Sequence, residues 1–193
     1  MKKIINSKVV PLPIENIDTD QIIPAQFLKS TSKDNFGKNL FYHWRYDSNG
    51  QENPDFILNQ DKYREAKILL AGNNFGCGSS REHAAWALKD FGIDVVISTQ
   101  FADIFKVNAY NNQILPIEFH KSAFDQILSK VNNNTEIEIE VNIENQSLGI
   151  PNEDVEFQFA LNSYHKDCLL HNLDETDYLI KIEREIEIFE NGQ

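Results

Sequence analysis

The densest chemistry in this 193-residue sequence is the run Gly72-Asn73-Asn74-Phe75-Gly76-Cys77-Gly78-Ser79-Ser80-Arg81-Glu82-His83. Three glycines in seven positions let the backbone come close to a ligand, and a helix starting behind them would offer N–H groups and the positive end of its dipole. Such a turn suits an anion. It departs from the standard phosphate motifs, because the P-loop needs a lysine after its last glycine and the dinucleotide fingerprint needs Gly or Ala where Arg81 stands. The nucleophile elbow also fails, since Gly76-Cys77-Gly78-Ser79-Ser80 has no serine at its centre. Two readings remain. In one, Ser79, three residues before Glu82, only caps the helix through a capping box and Arg81 pairs with a surface acid. In the other, Arg81 makes a bidentate pair with a substrate carboxylate while neighbouring N–H groups stabilise negative charge on Ser79. Cys77 as a nucleophile is a third reading, without an assigned histidine partner.

The elements around this run must hold it. Residues 66–71 read as a short, continuously apolar strand. After the turn, Ala84, Leu88 and Phe91 recur at helical spacing from Ser80 onward, and Gly92 stands where a C-terminal cap belongs. Strands are expected at 94–98 and 114–119 and helices at 102–111 and 122–131, and this alternation predicts a parallel sheet covered by helices. Upstream, the β-branched run 8–12 is closed by Pro11 and Pro13 and leads into the polar turn at Asn16-Ile17-Asp18-Thr19-Asp20, followed by Ile22-Ile23-Pro24. Residues 30–54 form a long loop that carries Phe36, Phe41, Tyr42, Trp44 and Tyr46, either functional or pinned to the core by these rings. Beyond residue 134 the period becomes two. Ile137, Ile139, Val141 and Ile143 share one face, with Glu136, Glu138, Glu140 and Glu144 opposite. With Val155, Phe157, Phe159 and Leu161 these predict a hairpin, its turn near residues 148–151. Helices are expected at 163–172 and 175–189, the second with Leu179, Ile182, Ile186 and Phe189 on one side. The fold class is α/β, a mainly parallel central sheet flanked by helices with a smaller antiparallel β portion.

Composition excludes several partners. The net charge of −12 comes entirely from residues 136–193, because residues 1–135 hold 15 basic and 15 acidic side chains and the rest 3 and 15. With no basic cluster beyond Lys2-Lys3, neither nucleic acid nor an anionic membrane is expected as a partner. The N-terminal apolar run is broken at Asn6 and Lys8, too early for a signal peptide, and no stretch approaches the ~18 apolar residues of a membrane span. A cytoplasmic location is expected, with Cys77 and Cys168 unpaired. Two distant cysteines and five scattered histidines give no clustered ligand set, so no metal is expected on this chain. The glutamate run reads as the solvated face of a strand.

The block Gly76-Cys77-Gly78-Ser79-Ser80-Arg81-Glu82-His83-Ala84, with Asp18-Thr19-Asp20-Gln21-Ile22-Ile23-Pro24 upstream and Phe101-Ala102-Asp103-Ile104-Phe105 downstream, closely resembles the small subunits of 3-isopropylmalate dehydratase. These are the swivelling β/β/α domain of the aconitase superfamily carried on a separate chain. Phe36-Gly37 with Leu40-Phe41, Trp44-Arg45-Tyr46 and Asn111-Asn112-Gln113-Ile114-Leu115-Pro116 extend the resemblance over nearly the full length, which implies one domain over residues 1–193. The resemblance implies isomerisation of 2-isopropylmalate to 3-isopropylmalate through isopropylmaleate, in leucine biosynthesis. It also implies a large subunit whose [4Fe–4S] cluster acts as Lewis acid, with no cofactor on this chain and a small dicarboxylate as substrate. By motif position, Ser79 would be the catalytic base and Arg81 the carboxylate clamp, with Ser80, Thr19 and Asp20 assisting substrate binding. Asp20 would orient a polar neighbour and His83 would pack behind the site. Phe36, Phe41, Trp44 and Arg45 are candidates for the loop that selects the isopropyl group, with a surface ion pair as the other reading of Arg45. The rivals are the small subunit of a related hydro-lyase acting on homoaconitate, citraconate or methylmalate, and a non-catalytic carboxylate-binding or regulatory module.

Overall fold

A computed structural model describes residues 1–29, 35–151 and 153–192; residues 30–34 of the expected loop lie outside these. The strands are β1 (Ile4–Leu12), β2 (Ile68–Ala71), β3 (Val95–Ser98), β4 (Leu115–Glu118), β5 (Glu138–Asn142), β6 (Ser147–Gly149) and β7 (Glu156–Gln158). The helices are α1 (Thr19–Ile22), α2 (Tyr42–Arg45), α3 (Glu82–Phe91), α4 (Asp103–Asn111), α5 (Lys121–Asn133), α6 (Ser163–His171), α7 (Glu175–Lys181) and α8 (Glu183–Asn191).

The seven strands among the described residues form one sheet in the order β4-β3-β2-β1-β5-β6-β7. Strands β1 to β4 run parallel, and β5, β6 and β7 continue the sheet in antiparallel fashion. The expected mainly parallel sheet with a smaller antiparallel portion is therefore present, and the two portions are fused. β1 is the seam. Its first half, Ile4–Lys8, pairs with β5, and its second half, Val9–Leu12, pairs with β2. This division explains how Pro11, which has no N–H to donate, sits inside the strand: it lies beyond the reach of β5. At the changeover, the buried Ser7 hydroxyl donates to the Lys8 carbonyl (2.8 Å) and accepts the Lys67 N–H (2.8 Å).

Residues alternate between two apolar layers. Val10, Leu12, Leu69, Ala71 and Val96 face a core built with α3 and the 36–63 segment, whereas Val9, Ile68, Leu70, Val95 and Ile97 face one built with α5 and the antiparallel strands. Burial on both faces is why β2 and β3 read as unbroken apolar runs.

Two expectations are corrected. The 136–144 and 155–161 segments do not pair with each other, because β6 lies between β5 and β7; Gln146 and Ser147 were too polar to read as a strand, although Ser147 is buried. The last helix is two, broken at Ile182 (φ −100°, ψ 10°). Its apolar side, including Leu179, Ile186 and Phe189, is exposed rather than packed. Replacing Ser7 with Ala leaves the Lys67 N–H without its acceptor, and urea titration is expected to show a loss of about 1–3 kcal/mol in unfolding free energy.

Candidate active site

The glycine turn leaves the carboxyl end of β2 and is clamped against the chain leaving β1. Asn16 N–H donates to Asn73 O (2.8 Å), Gly76 N–H to Ile17 O (2.8 Å) and Thr19 N–H to Cys77 O (2.9 Å). On its other side, Phe75 N–H donates to Gln100 O (3.0 Å) and Ala102 N–H to Phe75 O (3.0 Å), tying the turn to the exit of β3. Side chains add to this frame: Asn74 Nδ2 donates to Asn16 Oδ1 (2.9 Å) and the Ser98 hydroxyl to Gly72 O (2.6 Å).

Two glycines are required by this packing. A Cβ at Gly72 would stand 2.3 Å from Ile14 O, and one at Gly76 would stand 2.3 Å from Phe105 Cγ, at a backbone φ of +76° that already disfavours a side chain. The turn therefore emerges with a fixed course, and Ser79 and Ser80 are exposed at its end.

Thr19, buried at the start of α1, donates from Oγ1 to the Ser79 carbonyl (2.9 Å). The Arg81 side chain is only 15% exposed and forms an ion pair with Asp20 through Nη1, which also reaches Ile23 O at 3.5 Å. Nε and Nη2 donate to nothing among the described residues, and that edge has the fork geometry that receives a carboxylate. Thr19, Asp20, Ser79, Ser80 and Arg81, expected to act together, are thus brought together. Thr19, Ser79 and Arg81 line a cleft of about 240 Å³ with Gly76, Gly78 and the first turn of α4.

The helix-capping reading of Ser79 is not what the chain adopts. Helix α3 begins at Glu82 with Arg81 as the flanking residue and no side-chain cap. Glu82 instead accepts from Trp86 Nε1 (2.9 Å) and Asn112 Nδ2 (3.1 Å). Gly92 ends the helix as expected. Cys77 is a poor nucleophile here: burial, and then the Asp18 carboxylate, push its thiol pKa up, and Sγ is 3.6 Å from Asn16 O. His83 packs against Trp86 (4.4 Å between centroids) and Phe36 (5.5 Å).

The aromatic loop is where the structure departs from expectation. Phe36, Phe41 and Arg45 are buried and face the core, and Trp44, partly buried, stacks on Phe41 at 5.3 Å. Arg45 makes no surface ion pair among the described residues. It donates to Asn59 Oδ1 (3.0 Å) and Gly37 O (3.1 Å) and lies over the Phe91 ring (4.8 Å). Phe91 is the last residue of α3, whereas Ser79 precedes its start, a helix length of about 15 Å away. Rings of this size are stabilised more by core burial than by exposure at a loop tip. Conversely, Asp103, Ile104 and Asn108 line the cleft. Spacing alone did not reveal them, because only tertiary packing swings α4 against the turn.

No group of three or more His, Cys, Asp or Glu that could hold a metal ion occurs among the described residues, and Cys77 and Cys168 are free thiols. This donor set does not fit an iron–sulfur cluster on the chain.

A parallel α/β sheet extended by antiparallel strands, with an exposed serine and a half-paired arginine on the turn after its second strand, matches a known class: residues 2–122 fit the family described as the aconitase C-terminal domain. Among curated relatives, the 3-isopropylmalate dehydratase small subunit of Cytophaga hutchinsonii is 50% identical over 96% of this chain and 92% of its own length. That of Karelsulcia muelleri is 52% identical over 95% and 93%. The crystal structure of 3-isopropylmalate dehydratase from Methanocaldococcus jannaschii superposes with a TM-score of 0.66 at 26% identity, covering 97% of this chain and 99% of that one. The chain belongs to the 3-isopropylmalate dehydratase small subunits within the aconitase C-terminal domain family.

A test of the frame is Gly76→Ala. Its clash with Phe105 and its strained φ are expected to lower unfolding free energy by about 1–3 kcal/mol in chemical denaturation, whereas Gly50→Ala, with open space around it, should cost less.

Proposed function

We propose that this chain is the small subunit of an isopropylmalate isomerase, interconverting 2-isopropylmalate and 3-isopropylmalate by dehydration and rehydration in leucine biosynthesis. The observation that carries the reading is the convergence of Ser79 with an Arg81 guanidinium, held at one edge by Asp20, in a single cleft. Near-full-length similarity to relatives of that name supports it. Small-subunit membership fits a large-subunit partner that carries the [4Fe–4S] cluster, since the donors of this chain do not.

In this reading the chain contributes organic groups. Arg81 offers Nε and Nη2 to one substrate carboxylate, while Asp20 occupies Nη1 and fixes the plane of the guanidinium. Ser79, as the alkoxide, takes the proton from the carbon next to a carboxylate while the C–O bond on the neighbouring carbon breaks and its electron pair leaves with hydroxide, which Lewis-acid chemistry supplied by the large subunit would hold. On rehydration hydroxide adds to the carbon that lost the proton, and Ser79 gives its proton to the other carbon of the double bond. The alkoxide needs stabilisation, and the positive end of the α3 dipole together with Arg81 supplies positive potential beside it. Thr19 has a positioning role through the Ser79 carbonyl. Ser80 assists binding, and His83 supports the helix from behind. The continuous sheet supports a single domain over residues 1–193, since β1 joins both halves. No helix among the described residues is long and apolar enough to cross a membrane, and the reading places the enzyme in the cytoplasm.

Reconstitution with the cognate large subunit tests this. Isomerase activity is expected only in the mixture, with a preference for isopropylmalate over citraconate, methylmalate and homoaconitate. A preference for a substrate without the isopropyl group would assign the chain to a related hydro-lyase, and ligand binding without activity under any pairing would make it a binding module. Ser79→Ala should lower kcat by about 10²–10⁴-fold while the complex still assembles. Asp20→Asn should raise KM more than it lowers kcat, because it frees the guanidinium to rotate.

A further inference from the structure

The polar side chains that line the cleft among the described residues are Thr19, Ser79, Arg81, Asp103 and Asn108. Thr19 already donates to the Ser79 carbonyl (2.9 Å), and Arg81 is paired at one edge with Asp20. Ser79 is the base of the proposed reaction, and Asp103 is an exposed carboxylate in the first turn of α4. Asn108 is different. It is partly buried, yet its carboxamide makes no hydrogen bond among the described residues; only its backbone carbonyl is engaged, by Asn112 N–H (3.1 Å) and Asn112 Nδ2 (2.9 Å).

The place of that carboxamide is fixed from both sides. One turn towards the start of α4, the buried Phe105 ring lies against Gly76, where an added Cβ would stand 2.3 Å from Cγ. One turn towards the end, Asn112 Nδ2 donates to Glu82 Oε1 (3.1 Å), at the first residue of α3. Residues three and four apart share a helix face, so Asn108 stands between these two contacts, on the α4 wall of the cleft that holds Ser79 and Arg81.

Asparagine is also an unfavourable choice there. In the interior of α4, alanine would be the better helix former, because an asparagine side chain competes for backbone hydrogen bonds. An interior asparagine commonly recovers part of that loss by bonding to the backbone nearby, and this one does not. A local rule broken without a compensating contact marks a position kept for function.

We propose that Asn108 is a substrate-binding residue whose Nδ2 donates to a substrate carboxylate from the α4 wall, while the free edge of Arg81 holds the substrate from the turn. The inference rests on the proposed function and adds a contact to it. A dicarboxylate has more acceptor oxygens than one guanidinium fork can satisfy, and Asn108 is the neutral donor of the lining with no other role. An amide also suits the position in charge. Asp103 already places one carboxylate on this wall, and a second would repel the substrate.

The test is steady-state kinetics of the full chain reconstituted with its cluster-loaded large subunit, together with thermal melts of the same variants. Asn108→Ala should raise KM for 2-isopropylmalate about tenfold to a hundredfold with a smaller fall in kcat, while its melting temperature is unchanged or higher. Asn108→Leu, similar in volume but without a donor, should show the same rise, and Asn108→Asp a larger one that shrinks with added salt. Wild-type KM in Asn108→Ala and Asn108→Leu would overturn the assignment, as would a loss of activity that tracks a lowered melting temperature, the mark of a packing role. In both cases the unaltered enzyme still isomerises 2-isopropylmalate and the proposed function stands. Absence of that activity in the unaltered mixture would overturn the proposed function, and this inference with it.

Discussion

The arrangement of this protein depends on how closely two backbone segments approach each other. The chain leaving β1 and the glycine turn leaving β2 run side by side, joined by N–H donations from Asn16, Gly76 and Thr19. A side chain at residue 72 or 76 would separate them. Everything chemical is hung on that contact. It sets Thr19 beneath the Ser79 carbonyl and Asp20 beside Arg81, so two motifs about sixty residues apart become one surface. With Arg81 already held by Asp20, little side-chain ordering is left for a ligand to bring about.

The same economy explains the division of labour within the sheet. The parallel half ends at the cleft, because strands β2 and β3 deliver their following turns to the same edge, where ligands of open α/β sheets are commonly held. The antiparallel half buries one face of β1, β5 and β6 and exposes the glutamates of the other. The net charge of −12 belongs to residues 136–193, the antiparallel strands β5, β6 and β7 together with helices α6, α7 and α8, so the portion with the cleft opposes an incoming dicarboxylate with no excess negative sequence charge. The cleft-lining α4 balances one acid, Asp103, against one base, Lys106, and also exposes Ile104 and Val107.

The 36–63 segment shows how aromatic content can mislead. Its rings resemble a recognition loop, yet Phe36, Phe41 and Trp44 pack into the layer beneath α3, and Arg45 is consumed by the Gly37 carbonyl and Asn59. The segment supports the far side of the helix that starts beside the serines. Its contribution to the packing is support of α3, with Phe36, Phe41 and Arg45 buried and Trp44 partly buried against the core.

Much of the α/β order was legible because each strand and helix of residues 66–133 carries its own period and its own stops. Apolar runs marked β2, β3 and β4, and Gly92 ended α3 as a local signal requires. The serine and arginine of the site were legible by residue type and spacing, as was the polar segment holding Thr19 and Asp20. What could not be read was anything set by distant neighbours: β6 between β5 and β7, the break at Ile182, the inward turn of Phe36 and Arg45, and the arrival of Ile104 at the cleft. Local sequence determines which backbone conformations are cheap, and that settled the turn, the helix behind it and the chemical groups. Only tertiary packing decides which of several apolar faces is covered, because burial depends on elements brought together from far along the chain. That packing brought Ile104 and Asn108 of α4 to the cleft beside Ser79.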